Sequence, residues 1–228
     1  MTKPKIKIDV VSDVVCPWCY IGKRRLEKAI DQLSSAYDFD VEYHPFELNP
    51  EMPKEGRDQK EYLANKFGGD DRYNQLTNHV TNVALAEGLI FNFDKQSVSP
   101  NTRKAHSIVQ FAKEAGKQLE TVNALFKAYF TDGIDLSKDE NLIDIAVHAG
   151  LEEEKVRALL ADESALVQVA LEEQEMYKLG ISGVPFYIIN NKYGVSGAQA
   201  SDTFIKAFQE IGSELAGGEA CDVDAKNC

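Results

Sequence analysis

The sequence has few cysteines, a deficit of basic residues and no long apolar run. Four cysteines in 228 residues are too sparse for a small disulfide-stapled scaffold. The longest strongly apolar run, residues 184–189, is far shorter than the roughly 20 residues that span a membrane. Lys and Arg number 25 against 37 Asp and Glu, a net charge of −12. This balance argues against a general binder of nucleic acid or anionic membranes, so we expect neither kind of partner.

The N-terminal residues also lack the pattern of a secretory leader. Lysines occur at positions 3, 5 and 7, but Asp9 and Asp13 follow where a leader needs an apolar stretch of about 7–15 residues. We therefore expect no signal peptide and a cytoplasmic location. In a reducing cytoplasm, a cysteine pair is more often catalytic, redox-sensing or metal-binding than structural.

Hydrophobic periodicity predicts the order of secondary structure elements. A hydrophobic fraction of 43% is enough to form a core. The predicted elements are a strand at 5–11, a helix to about 35, a strand at 39–46, a block of helices, strands at 184–189 and 193–196, and a helix at 201–215. Neither end of the chain can bury a sheet face alone, so we expect the two ends to form one sheet. This predicts an α/β protein with a thioredoxin-like fold and a large all-helical insertion domain.

The same pattern divides the chain into four segments. Residues 1–50 are the first half of the thioredoxin-like domain, 51–180 the helical insertion and 181–216 the second half. Residues 217–228 are a polar, cysteine-containing tail, which Gly217-Gly218 is expected to make flexible.

The chemistry is concentrated in Cys16-Pro17-Trp18-Cys19, between the first strand and a long amphipathic helix. Disulfide exchange needs one thiol present as thiolate and a second thiol close enough to resolve the mixed disulfide. Cys16 at a helix N-terminus meets the first need, because free N–H groups and the positive end of the dipole stabilise a thiolate. Cys19 lies one turn further on, and Pro17 suits the first helical position. We therefore predict a redox-active pair.

Two other interpretations of this pair are weaker. Cys221 and Cys228 would complete a four-cysteine zinc site by number alone. A zinc-binding turn rarely has the order strand, Cys-Pro-aromatic-Cys, long helix, so we assign no metal. A buried, inert pair is the remaining alternative.

Three basic residues, Lys23, Arg24 and Arg25, follow the motif directly. As a solvated helix face they have no catalytic role. As a positive field they would favour the Cys16 thiolate or attract an anionic thiol such as glutathione. The sequence leaves both interpretations open.

Four motifs occur together in one order. They are Ser12-Asp13-x-x-Cys16-Pro17-Trp18-Cys19-Tyr20-x-Gly22, Pro45-Phe46-x-Leu48-Asn49-Pro50, Pro100-Asn101-Thr102-x-x-Ala105-His106 and Gly183-Val184-Pro185. Through them the chain resembles the DsbA-like thioredoxin-fold oxidoreductase family, FrnE-like branch, over about residues 5–212. Kappa-class glutathione transferases and 2-hydroxychromene-2-carboxylate isomerases are related, but they typically carry serine in place of Cys16. The bacterial periplasmic branch usually has histidine between its cysteines, where this chain has Pro17 and Trp18.

The resemblance implies roles for individual residues. Cys16 and Cys19 would be catalytic, with a cis-Pro185 beside the nucleophilic sulfur, although a proline opening a strand is also typical of a sheet edge. Pro17, Trp18 and Val184 would contact substrate. The substrate-binding residues would further include Asn101, which is alternatively a helix cap. His106 is either a core histidine or a proton shuttle.

We therefore predict a protein-disulfide oxidoreductase of reductase or isomerase type, acting on protein or small-molecule disulfides with a thiol reductant or oxidant. No bound cofactor is expected, with glutathione as a candidate co-substrate, and a homodimer is compatible with the sequence. Alternatives are a redox-regulated, chaperone-like binding module and a glutathione-dependent transferase or isomerase. The tail pair Cys221 and Cys228 is an auxiliary redox pair, a metal-binding or sensing tail, or two incidental thiols.

Overall fold

The computed structural model describes residues 3–219 of the chain. Its strands are β1 (Lys5–Ser12), β2 (Asp38–Pro45), β3 (Arg57–Asp58), β4 (Val98–Ser99), β5 (Phe186–Ile189) and β6 (Tyr193–Ser196). Its helices are α1 (Pro17–Leu33), α2 (Gln59–Phe67), α3 (Asp70–Ala86), α4 (Arg103–Glu114), α5 (Gln118–Lys127), α6 (Asp139–His148), α7 (Glu153–Ala161), α8 (Glu163–Lys178) and α9 (Ser201–Glu219), with a 3-10 turn at Phe93–Lys95 and a π-helical turn at Ala128–Asp132. Within residues 3–219, no helix combines the length and the apolar character needed to cross a membrane.

The main sheet has the strand order β2-β1-β5-β6. β1 pairs in parallel with β2, which requires a crossover, and α1 supplies it. β1 also pairs antiparallel with β5, which in turn pairs antiparallel with β6. β1 therefore lies inside the sheet, where Ile6, Ile8 and Val10 are at most 2% exposed. The two ends of the chain form one sheet around the helices, and the predicted fold class is confirmed.

The turn between β5 and β6 is built on Asn190 and Asn191. Both have positive φ, 50° and 55°, a region that asparagine tolerates better than most residues. The Asn190 side chain accepts a hydrogen bond from the backbone N–H of Lys7, at 2.8 Å, on β1. The turn thereby also fixes the hairpin against the central strand.

The sheet and the helical block share one hydrophobic core. A contiguous cluster of buried apolar side chains includes Ile8 of β1, Phe126 of α5 and Leu142 of α6. At its centre, Tyr20 of α1 stacks on Phe126 at 4.9 Å between ring centroids and on Phe91 at 5.7 Å. The helices are thus packed directly against the helix that carries the cysteine motif. The domain boundaries at 50/51 and 180/181 remain predictions.

Two details of the predicted local structure are wrong. The sequence predicts only a block of helices after the second strand, yet β3 and β4 pair there as a short antiparallel ribbon. Strands of two residues are too short to show an alternating pattern.

The second correction concerns the C-terminal helix. α9 continues through Gly217 and Gly218 to Glu219, so the tail does not begin with a hinge at position 217. Glycine costs about 1 kcal/mol relative to alanine inside a helix, which weakens a helix without ending it. Cys221 and Cys228 lie outside the described residues.

His44 joins three elements on the face of the sheet that meets α8. Its Nε2 lies 2.9 Å from Oδ1 of Asp9 on β1, and its Nδ1 lies 2.5 Å from Oε1 of Glu172 on α8. Burial lowers the pKa of His44, but the hydrogen bonds to Glu172 and Asp9 and the charges of Glu172 and Glu42 raise that pKa by more, so that the net shift is upward. A protonated His44 therefore stabilises the contact between sheet and helical block.

This gives a prediction for the pH dependence of stability. Because the folded-state pKa of His44 is raised, its contribution is fully present below about pH 6.5 and is lost as the pH rises through the folded-state pKa. His44→Gln should lower the free energy of unfolding by about 1–2 kcal/mol at about pH 5.5 and by much less at about pH 9. Urea unfolding at both pH values measures this.

The matched control is His148→Gln, because His148 is exposed and its Nδ1 lies near the Asp144 carbonyl of its own helix. Equal losses for His44→Gln at both pH values would contradict the ion-pair explanation.

Candidate active site

Cys16 is the N-cap residue of α1, and Pro17 occupies the first helical position. The backbone N–H of Cys16 donates to the Asp13 carbonyl at 3.0 Å, which forms the turn out of β1. The N–H groups of Cys19 and Tyr20 donate to the Cys16 carbonyl at 3.0 and 3.3 Å. The cysteine motif therefore has the strand, turn and helix start that the sequence predicts.

Both thiols are unbridged and buried, with Cys16 4% and Cys19 2% exposed. Burial raises the pKa of Cys19 well above its ordinary value, and the hydrogen bond and charge of Cys16 raise it further. The Ser12 hydroxyl and the Asp13 backbone N–H oppose that shift only in part. Cys19 is therefore a protonated thiol at neutral pH, and Cys16 is the thiol placed to react first.

The Val184–Pro185 segment lies directly beside Cys16. The peptide bond between Val184 and Pro185 is cis. The Val184 carbonyl oxygen lies 3.8 Å from Cys16 Sγ, within the range of a weak thiol hydrogen bond. The structure thus brings together Cys16, Cys19, Val184 and Pro185 from opposite ends of the sequence.

Trp18, the single tryptophan of the chain, is 37% exposed although it stands between two buried cysteines. Its ring lies 6.1 Å from the ring of His79 on α3. Leu48 is also exposed, at 40%. Trp18 offers a large apolar surface to a substrate next to the thiols, with Pro17 half-buried beside it.

The side chain of Asn101 makes two hydrogen bonds at the start of α4. Its side-chain oxygen accepts from the Arg103 backbone N–H at 3.1 Å, and its amide donates to the Met52 carbonyl at 2.9 Å. These bonds agree with the helix-start interpretation. Contact of Asn101 with substrate stays a prediction.

The basic run after the motif is neither simply solvated nor a free positive field. Lys23 is 4% exposed and pairs with Glu27 and Asn123. Arg25 pairs with Glu87 at 2.6 Å. Lys23 and Arg25 thus connect α1 to groups outside that helix. Because Lys23 is buried, the solvated-face interpretation is wrong for this residue.

Sequence reasoning singled out His106 but missed the largely buried group of charged side chains to which His106 belongs, behind the motif. We call Asp13, Glu47, Arg103, His106 and Glu173 the charge cluster. Arg103 donates to Glu47 Oε1 through Nε at 2.7 Å and approaches it through a terminal nitrogen at 2.6 Å. The Glu47 backbone N–H donates to Glu173, and the His106 ring lies 3.4 Å from Asp13.

The available signal for this cluster was its position within the motifs. Glu47 fills the unassigned place in Pro45-Phe46-x-Leu48, and Arg103 follows Thr102 in the third motif. Glu173 has no sequence signal, because it lies on α8 far from every motif.

Among residues 3–219, one group of side chains has the spacing of metal ligands. Ligand atoms of Asp9, Glu42 and His44 lie within 4.8 Å of one another. Lys7 pairs with Asp9, and Lys113 pairs with Glu42. These charges are already matched, so we interpret the group as an ion-pair network.

A helix that starts at a cysteine, follows the central strand of a mixed sheet and faces a cis-proline defines a thioredoxin-fold protein of the thiol–disulfide oxidoreductase type. The chain belongs to the family of the DSBA-like thioredoxin domain, whose sequence model matches residues 7–209. The resemblance suggested by the four motifs is therefore confirmed.

Individual relatives agree with this assignment. YwbO, an uncharacterized protein of Bacillus subtilis, is 28% identical over 210 residues, which are 90% of this chain and 96% of YwbO. The crystal structure of a probable DsbA oxidoreductase from Streptomyces coelicolor is 33% identical, with a TM-score of 0.83 over 90% of this chain and 89% of that one. The cytosolic disulfide reductase DsbM from Pseudomonas aeruginosa, solved with GSH, is 17% identical with a TM-score of 0.61 over 94% and 99% of the two chains, a likeness of fold alone.

The close packing of α1 against Pro185 and β5 can be tested at Gly22. A Cβ at this position would lie 2.2 Å from the Tyr187 hydroxyl and 3.3 Å from Pro185. Alanine alone favours a helix by about 1 kcal/mol over glycine. We expect the clash to outweigh this gain in helix propensity, so that Gly22→Ala lowers the free energy of unfolding by about 1–3 kcal/mol.

Removal of the clashing atom provides the control. Tyr187→Phe should recover most of the loss in the double variant, since the hydroxyl is the nearest atom and has no hydrogen-bond partner among the described residues. Urea unfolding of both single variants and the double variant measures this. Additive losses would show that Gly22 is required for another reason.

Proposed function

We propose that this protein is a protein-disulfide oxidoreductase of reductase or isomerase type. Cys16 attacks a disulfide in a protein or small molecule, and Cys19 resolves the mixed disulfide. The observation that carries the proposal is the asymmetry of the pair. Cys16 sits at a helix N-cap beside the Val184 carbonyl, whereas Cys19 is held as a buried, protonated thiol.

The proposed cycle transfers two electrons from the thiol pair to the substrate. The Cys16 thiolate attacks one substrate sulfur, a Cys16–substrate bond forms, and the substrate disulfide breaks to release a thiolate that takes up a proton. Cys19 then loses its proton and attacks Cys16 Sγ, and the second substrate thiolate leaves. The substrate is reduced, and the enzyme is left with a Cys16–Cys19 disulfide.

An external thiol must reduce this disulfide before the next turnover, and we propose glutathione or a comparable cellular thiol. A cytoplasmic setting, where such thiols are abundant, agrees with this direction. DsbM, a cytosolic disulfide reductase whose structure was solved with GSH, has the same fold and supports the proposal only by analogy.

Exposed Trp18 and the Val184 backbone are the proposed substrate contacts. An extended peptide that approaches Val184 would meet the backbone of the segment that precedes β5 and an indole face beside the thiols. Both contacts are independent of peptide sequence, which suits an enzyme that acts on varied disulfides.

The thiols themselves provide the direct test. Cys16→Ser should abolish the catalysis of insulin-disulfide reduction by dithiothreitol or glutathione, because the thiol that makes the first attack is removed. Cys19→Ser should retain the first attack and accumulate mixed disulfides, which mass spectrometry of the acid-quenched protein detects.

The matched control is the double variant Cys221→Ser/Cys228→Ser, which keeps the proposed pair intact and should retain insulin reduction. Turnover by Cys16→Ser would overturn the assignment. Tight glutathione binding without any dithiol turnover would instead favour the transferase or isomerase alternative.

A further inference from the structure

Asp13 connects the two active-site thiols to the charge cluster. Its backbone carbonyl accepts from the Cys16 N–H at 3.0 Å, and its backbone N–H donates toward the Cys19 sulfur. Its carboxylate accepts from Leu48 N–H at 2.8 Å and from Val15 N–H at 3.4 Å. Asp13 thus contacts both the backbone of Cys16 and the sulfur of Cys19.

The Asp13 carboxylate is only 1% exposed, and a buried charge is costly unless it is paired. The cation nearest to it is His106 of α4, whose Nε2 lies 3.4 Å from Asp13 Oδ1. His106 is itself 3% exposed, and its Nε2 has no well-directed hydrogen bond within residues 3–219. The geometry is that of a close but adjustable ion pair.

The other groups that face His106 make its protonation favourable. Glu47 follows β2, Glu173 comes from α8, and Arg103 lies one turn earlier on α4. Three carboxylates thus face one guanidinium, a surplus of two negative charges that a protonated His106 reduces to one. Burial lowers the pKa of His106. The three carboxylates of Asp13, Glu47 and Glu173 raise that pKa by more, so that the net shift is upward.

We propose that His106 is a positioning residue of the thiol site, whose positive charge offsets the Asp13 carboxylate and so favours the Cys16 thiolate of the reduced enzyme. The inference rests on the proposed function and deepens it. His106, a residue of the helical insertion, then tunes the redox equilibrium of the cysteine motif at the start of α1. Stabilising the reduced form makes a pair more oxidising, so His106 raises the reduction potential and Asp13 lowers it.

The test is the thiol–disulfide equilibrium of the pair in glutathione redox buffers. His106→Gln removes the positive charge and should shift the equilibrium threefold to tenfold toward the disulfide, about 15–30 mV more negative. Asp13→Asn removes the negative charge and should shift it by a similar factor toward the dithiol. The double variant should return close to the wild-type equilibrium, and His148→Gln, on the exposed end of α6, should leave it unchanged.

Opposite shifts that cancel in the double variant are the mark of an electrostatic role, because structural damage moves both variants in the same direction. Shifts of the same sign, or no shift in a folded His106→Gln protein, would overturn the proposal. Insulin reduction by the wild-type protein tests the proposed function separately, so the two failures are distinguishable.

A second measurement needs no variant. By linkage, a proton on His106 that favours the Cys16 thiolate must itself bind more tightly in the reduced protein. NMR titration of the His106 ring should therefore give a higher midpoint in the reduced than in the oxidised wild-type protein, with His148 as the internal control. Equal midpoints in the two redox states would overturn the proposal.

Discussion

The transition from β1 to α1 is the constraint on which the site depends. β1 ends inside the sheet, and β5 runs antiparallel beside it, with Val11 opposite Phe186. The end of β1 and the start of β5 therefore lie side by side at the same end of the sheet. Cys16, five residues beyond Val11, therefore lies beside the carbonyl of Val184, two residues before Phe186.

Much of this arrangement could be predicted, because its determinants are local. The alternation in β1, the helical period of α1 and Pro17 at a helix start each depend on a few neighbouring residues. Asn190 and Asn191 likewise specify their turn by their own conformational preference. The cysteine motif was recognisable for the same reason.

The parts that sequence did not predict depend on residues that are distant in the chain. The ribbon of β3 and β4 is formed by two residues on each side, and Asp58 pairs with Val98, 40 positions further along the chain. The buried Glu173 side chain accepts a hydrogen bond from the backbone N–H of Glu47, far away in the chain, and no local pattern marks such a contact. Lys23 looked like a surface residue because its partner Asn123 lies on a distant helix.

The position of the single tryptophan has a practical consequence. Trp18 stands between the two cysteines, so all indole emission of the chain comes from the active site. Closure of a disulfide next to the indole ring changes how strongly its fluorescence is quenched. Since the chain has no other tryptophan, no indole elsewhere adds background emission. The molecule thus contains an intrinsic optical reporter of its own redox state, which reads the fraction oxidised in solution without a label.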